Sequence, residues 1–398
     1  MKILLCHNYY QQPGGEDTSF ALEAELLEAH GHQTVRYTLH NDAIHRMSSL
    51  NTASKTLWNR KSYNDVRKLI KRERPEVMHC TNTFPLISPA VYYAAKELGV
   101  AVVQSLRNYR LLCPSAQLMR DGRVCESCLG KRLAWPGVLH GCYRGSRLGT
   151  AVVAGMLAWH RWRRTYTDVV DRYYALTEFS RDKFIEGGLP AEKIAVKPNF
   201  LDPDPGAGSG DGNYVVFVGR LSPEKGIDTL LSAWEQLKGD FTLKIVGDGP
   251  LASDVQQAAH EDSRIQWLGH QRSGAVVDIV GRAAALVLPS VWYEGFPRTI
   301  VEAFSRGTPV VASNLGSMTE IIDHGANGLH VPPGDAAELA AAVDRIMGNA
   351  QLRQRMREAA RGDFLANYTA DRNYEMLMEI YDAALSGEQR ELSPTLAV

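Results

Sequence analysis

Short apolar runs alternate with amphipathic stretches along most of the chain. The first run, Ile3 to Cys6, is bounded by Lys2 and by His7 and Asn8, which predicts a strand buried on both faces. A turn with Pro13, Gly14 and Gly15 follows, then Leu22, Leu26 and Leu27 at helical spacing, then a strand over 33–39. The alternation continues with strands at 77–80 and 100–105 separated by a helix over 88–98. It returns with strands at 172–176 and 194–197 around a helix over 178–186 that Gly187 and Gly188 close. An irregular, cysteine-containing insertion fills 112–147. Six more strands are predicted at 214–218, 242–246, 265–268, 285–289, 309–313 and 328–331, most followed by a helical pattern or a Gly/Pro turn. Strands that alternate with helices in this way form parallel sheets covered on both faces.

A chain of 398 residues is too long for one ordinary core, and a stretch rich in Pro, Gly and Asp at 202–212 marks the hinge. The division is therefore a domain over 1–200, a second over 213–372, a final amphipathic helix over 373–385 and a polar tail, 386–398, expected to be disordered. Ligands of such sheets bind outside the carboxyl ends of the strands. No run of about 18 apolar residues is present to span a bilayer. The run after Lys2 is too short for the core of a signal peptide, so a cytoplasmic location is expected.

Four constellations fall at strand-to-helix turns. Pro13-Gly14-Gly15-Glu16 lets backbone approach a phosphate ahead of a helix N-terminus, though a Gly pair also makes a plain tight turn. Arg220 and Lys225 bracket the turn Gly219–Gly226, so two cations can converge on one anion such as a diphosphate; two solvated charges are the bland alternative. Gly247 and Gly249 make a second tight turn that would pack against a nucleoside or simply bend the chain. The fourth, Glu294-Gly295-Phe296-Pro297, precedes a helix carrying Glu302, with Pro297 placed as a first-turn residue. Glu294 then lies in the loop and Glu302 on the helix, two acceptors suited to sugar and ribose hydroxyls.

The strings GRLSPEKG, VGDGP and EGFPRTIVE, with PGGED near the start and PNF at 198–200, resemble retaining glycosyltransferase family 4 of the GT-B fold. The resemblance implies two Rossmann-like doubly wound domains facing each other across a cleft, with the helix over 373–385 completing the first. It implies a nucleotide-sugar donor (UDP-, GDP- or ADP-linked), a glycan or lipid-linked acceptor on the N-terminal side, and no catalytic metal. Arg220 and Lys225 would bind the donor diphosphate, and Glu294 with Gly295, Phe296 and Pro297 the transferred sugar. Glu302 would take the ribose, and Gly14 and Gly15 the phosphates from the other domain. The family commonly has His where this chain has Arg107, so Arg107 is read as facing a charged sugar or an acceptor phosphate, as a sign of lost activity, or as a tolerated change. Asn82, at another strand end, is a second acceptor-side candidate. A phosphorylase, an epimerase or a non-catalytic nucleotide-sugar-binding protein could use the same architecture.

Composition adds two features. Cys113, Cys125, Cys128 and Cys142 cluster in the insertion, with a C-x2-C pair at 125–128. Structural zinc is the first expectation there, with reduced buried thiols or a redox role as alternatives. Cys6 and Cys80 fall in strands and read as small core residues. Residues 1–200 hold 28 Lys and Arg against 18 Asp and Glu, a balance of +10, whereas the whole chain sums to -1. A basic half that includes Arg144, Arg147 and Arg161–Arg164 around the apolar run 151–159 suits peripheral contact with a membrane surface. A core helix with a solvated basic end fits that run equally. No aromatic-interleaved stripe points to nucleic acid.

Overall fold

The computed structural model describes residues 1–12 and 14–387. The expected tail, 386–398, falls outside them from residue 388 on, as does Pro13 of the first Gly-rich turn. The chain divides into two compact units, one of 1–118, 125–197 and the residues from Tyr374 on, the other of 119–124 and 198–373.

In the first unit β1 (Lys2–Tyr9), β2 (Gln33–His40), β3 (Val77–Asn82) and β4 (Ala101–Leu106) precede a two-stranded hairpin, β5 (Met119–Arg120) with β6 (Arg123–Val124). The hairpin is grouped with the second unit. β7 (Arg172–Ala175) and β8 (Ile194–Val196) follow. Six of these make one parallel sheet in the order β2-β1-β3-β4-β7-β8. Every residue of β3 is buried, including the polar His79, Thr81 and Asn82. Cys6 and Cys80 are register partners inside this sheet, buried as expected.

The second unit contributes β9 (Tyr214–Val218), β10 (Thr242–Val246), β11 (Ile265–Gly269), β12 (Ala285–Leu288), β13 (Val310–Ser313) and β14 (Gly328–Val331). They form one parallel sheet in the order β11-β10-β9-β12-β13-β14. Its core includes Phe217, Trp234, Leu243, Ile245 and Val287. The chain starts in the middle of the sheet at β9, winds outward on one side and returns to wind on the other, so the strand order reverses between β9 and β12. That reversal opens a crevice at the carboxyl ends of the two strands.

Two regions depart from expectation. The stretch between β2 and β3 holds a short 3-10 helix at Asn41–Arg46 and two α-helices, Ser49–Leu57 and Arg60–Glu73. Ser48 and Asn59 cap the latter two by accepting from backbone amides, and few apolar positions anchor these polar helices. The insertion is more regular than expected: besides the hairpin it holds a helix at Trp135–His140, and at its end begins a longer one, Arg147–Trp162, capped by Ser146 Oγ accepting from Gly149 N (3.0 Å).

Candidate functional site

In the second unit the turns after β9, β10 and β12 are stitched together by backbone. Gly219 N donates to Val246 O (3.0 Å), Leu221 N to Asp248 O (3.0 Å), and Leu251 N to Leu221 O (2.9 Å). Val291 N donates to Glu224 O (3.0 Å), which ties the turn after β9 to the one after β12. These approaches leave no room for side chains. A Cβ on Gly247, whose φ is +139°, would collide with the Gly219 carbonyl, one on Gly249 with Leu221, and one on Gly226 with the Pro289 carbonyl. Gly247→Val is therefore expected to cost about 1–3 kcal/mol from backbone strain, with the collision added. Urea unfolding measures it, and unchanged stability would mean that the turns do not depend on this approach.

On this frame Lys225 Nζ donates to Glu294 Oε1 at 2.6 Å, and Ser290 Oγ donates to the same oxygen at 2.7 Å. Glu294 is only 5% exposed, and Lys225 lies 5.5 Å from the Trp292 ring centroid. Ser317 Oγ donates to the carbonyls of Glu294 (2.7 Å) and Gly295 (2.9 Å), and Asn199 Nδ2 to that of Phe296 (3.1 Å). The loop carrying Glu294 is thus fixed by its backbone as well as its side chain. Pro297 is the cap and not the first turn of its helix, which runs Arg298–Ser305. Glu302 lies on that helix, half-buried, with burial raising its carboxyl above the ordinary range against an opposing pull from Arg298. Arg220 is exposed on the turn after β9 and makes no ion pair among the described residues. Of the residues expected to hold a donor, all but Gly14 and Gly15 thus share one end of one sheet. Ser290, Trp292 and Ser317 were not foreseen; the only sequence signal was polar or aromatic residues just past β12 and β13.

In the first unit Gly14 and Gly15 are exposed at the start of the helix Gly15–Ala29. The acidic first turn of that helix is drawn into local contacts. Asp17 accepts from Gly14 N (3.0 Å) and meets the buried His7 Nε2 (2.7 Å), while Glu16 accepts from Asn108 Nδ2 (2.7 Å) and the Tyr10 hydroxyl (3.0 Å). Asn82 is buried and bridges strand ends, donating to Asn8 O (2.9 Å) and accepting from Phe84 N (3.0 Å).

Arg107 points into the domain, its side chain 4% exposed. It donates to Glu23 Oε1 (2.8 Å) and the Tyr174 hydroxyl (3.3 Å), and Lys197 Nζ donates to the same Glu23 oxygen (2.7 Å). Burial works against the Glu23 carboxylate, but Lys197 and Arg107 overcome it and hold its pKa well below the usual range. Burial likewise lowers the neighbouring His79 to about 4, where it stays neutral and bridges Tyr381 (2.8 Å) and Tyr174 (3.1 Å).

The geometry lends no support to the zinc expectation. Among the described residues no group of three or more His, Cys, Asp or Glu is placed to hold a metal ion. Cys113 Sγ lies 3.2 Å from Ser115 Oγ, Cys125 Sγ 3.4 Å from Ser127 Oγ, and Cys128 Sγ points at Ala134 O (3.9 Å). Burial raises the Cys128 thiol to about 11, and Cys113, Cys142 and Cys125 lie close enough to push it the same way. Cys142 is half-buried, and none of the four is joined in a disulfide.

A doubly wound sheet whose Gly-rich turns converge beside a strand-order reversal is the architecture of a nucleotide-binding α/β protein. Residues 14–199 match the glycosyl transferase 4-like domain and residues 203–363 match glycosyl transferases group 1. The chain belongs to the family 4-like glycosyltransferases of the GT-B fold, enzymes that bind nucleotide sugars. It is 26% identical to an uncharacterized 42.6 kDa protein in the cps region of Klebsiella pneumoniae, over 81% of this chain and 87% of that one. It is 28% identical to the alpha-D-kanosaminyltransferase of Streptomyces kanamyceticus, over 53% and 54% of the two chains. The chain spans about half the length or less of several other curated relatives. Anabaena HepE in complex with UDP and glucose shares the fold, with a TM-score of 0.70 over 96% of this chain and all of that one at 19% identity.

Proposed function

We propose that the protein is a retaining glycosyltransferase that moves a sugar from a nucleotide-sugar donor to a glycan or lipid-linked acceptor. The observation that carries this reading is Lys225 and Ser290 converging on the buried Glu294 carboxylate, with Arg220 exposed on the turn that carries Lys225. Glu294 would accept from hydroxyls of the transferred sugar, and Glu302 from those of the ribose. Arg220 and Lys225 would meet the diphosphate. As the glycosidic bond breaks its electron pair passes to the diphosphate, and the two cations stabilise the charge that grows there. The acceptor hydroxyl attacks the face the diphosphate leaves and gives its proton to a diphosphate oxygen, so the anomeric configuration is kept without a protein nucleophile.

Arg107 and Asn82 support the acceptor-side domain from within in this reading, since their polar atoms bind neighbouring strands and Glu23. Among the described residues no helix is long and apolar enough to cross a membrane. The basic N-terminal half favours a cytoplasmic enzyme working on an acceptor carried at a membrane surface.

Melting the protein against UDP-, GDP- and ADP-sugars tests the donor. A ligand at about 100 times its Kd stabilises by about 2.7 kcal/mol, so one nucleotide series should raise the melting temperature and the others should not. UDP-glucose comes first, given the ligands of the HepE structure. Turnover of the stabilising donor should yield a product whose anomeric NMR signal matches the donor. An inverted anomer would reject retention, and binding without turnover would leave a nucleotide-sugar-binding protein.

A further inference from the structure

The Arg147–Trp162 helix has two unlike faces. Its inner face is occupied: Val153, Met156 and Leu157 cluster with Leu57, Phe84, Leu111 and Tyr143, while Ala154 packs with Cys128, Ala134 and Val138. At about 100° per residue, positions 148, 151, 152, 155, 159 and 162 form one stripe along the opposite side. They are Leu148, Ala151, Val152, Gly155, Trp159 and Trp162, none charged and none carrying an amide or hydroxyl, with Val152 and Trp159 half-buried and Trp159 packed edge-on against Trp58. Leu148 is 83% exposed and Trp162 79%. The water-facing side of a surface helix ordinarily carries its charges. The neighbouring Trp135–His140 segment adds Trp135 at 56% and Leu139 at 53% exposure.

The charges lie around this stripe and have one sign. From Lys131 to Arg164 the chain holds seven Lys and Arg and no Asp or Glu. Arg161 is turned inward onto the carbonyls of Lys131 (2.6 Å) and Leu111 (2.6 Å), and Arg164 pairs with Asp168 (2.6 Å). Lys131, Arg132, Arg144, Arg147 and Arg163 are exposed.

We propose that this face docks the protein on an anionic lipid surface. The helix lies flat in the headgroup layer, with Leu148 and Trp162 inserted at its two ends and the exposed arginines on lipid phosphates. Exposed Trp side chains suit that layer, where an apolar ring and a polar N–H are both accommodated. A second copy of the chain is a poor occupant, because pairing this face with itself brings two uniformly basic segments together. The surface stands independently of the donor-site reading, since vesicle binding is measured without any nucleotide.

The test is co-sedimentation of the full chain with vesicles of mixed phosphatidylglycerol and phosphatidylcholine, and with phosphatidylcholine alone. Binding is expected only to the anionic vesicles and should weaken with added salt. Leu148→Ser with Trp162→Ser should lower partitioning at least about tenfold, and Arg147→Gln should lower it about fivefold. These side chains are exposed, so melting curves should match the wild type. Equal binding to both vesicle types, wild-type binding by the variants, or binding to neither would overturn the proposal. So would a wild-type dimer that Leu148→Ser dissociates and that ignores vesicles, which would assign the face to a second copy.

Discussion

Glu294→Ala is expected to lower sugar transfer by at least about a hundredfold to a thousandfold while the protein still folds. The carboxylate is 5% exposed and already organised by Lys225 and Ser290, so its removal deletes a preformed acceptor from the proposed sugar site. The structural cost is small. Lys225 is 22% exposed and can reach water, and loss of the Ser290 hydrogen bond costs about 1 kcal/mol. Glu294→Gln keeps the shape and one acceptor oxygen but loses the charge, so it should fall between wild type and alanine. Turnover comparable to wild type in the alanine variant, at matched melting temperature, would sink the site assignment. A collapsed melting temperature would instead mean that the carboxylate holds the turns after β9 and β12 together.

The largest effect on stability is expected from Glu23→Gln, which should cost about 3–5 kcal/mol. Glu23 is buried and receives both Arg107 and Lys197, so a neutral side chain there leaves two cations inside the domain without this carboxylate. Acid should act on the same cluster. The folded-state pKa of Glu23 is depressed, so the stability it contributes is present above the carboxylate's unfolded pKa and is lost as pH falls toward the lower folded value. His79, lowered to about 4, loses stability over a higher window. Between pH about 6.5 and about 4 the unfolded histidine takes up a proton that the folded one refuses, which removes about 1.4 kcal/mol per pH unit. Burial lowers His160 to about 4 as well, so His79→Gln should lessen, not abolish, the fall in melting temperature between those values while leaving the Glu23 loss at lower pH. A wild-type melting temperature constant from pH about 7 to about 4 would contradict the His79 statement, and one constant from pH about 4 to about 2 the Glu23 statement.

The sequence by itself determined the alternation of strands and helices, the two parallel sheets and the turns where a ligand would sit. These features are local. A strand buried on both faces favours a continuous apolar run, and a tight turn at a strand end favours glycine, so each leaves a contiguous mark at β9 or Gly247. The family strings extended that reading to Arg220, Lys225, Glu294 and Glu302, because the turn that carries each one is itself contiguous.

Only the tertiary structure decided which side chains meet across the sequence. Glu294 finds Lys225 from 69 residues away, and Glu23 joins Lys197 across 174, and no local periodicity reports such pairs. Arg107 looked like a ligand-facing residue at a strand end, yet the Gly15–Ala29 helix carries a buried carboxylate to it. The fold brings the four cysteines within electrostatic reach of one another, yet among the described residues no group of three is placed to hold a metal ion, and spacing along the chain decides neither point. The apolar run 151–159 could be read as core or as surface. Its helix is both, because packing covers one side and leaves Leu148 and Trp162 on the other, and which side is covered depends on neighbours that local sequence does not name.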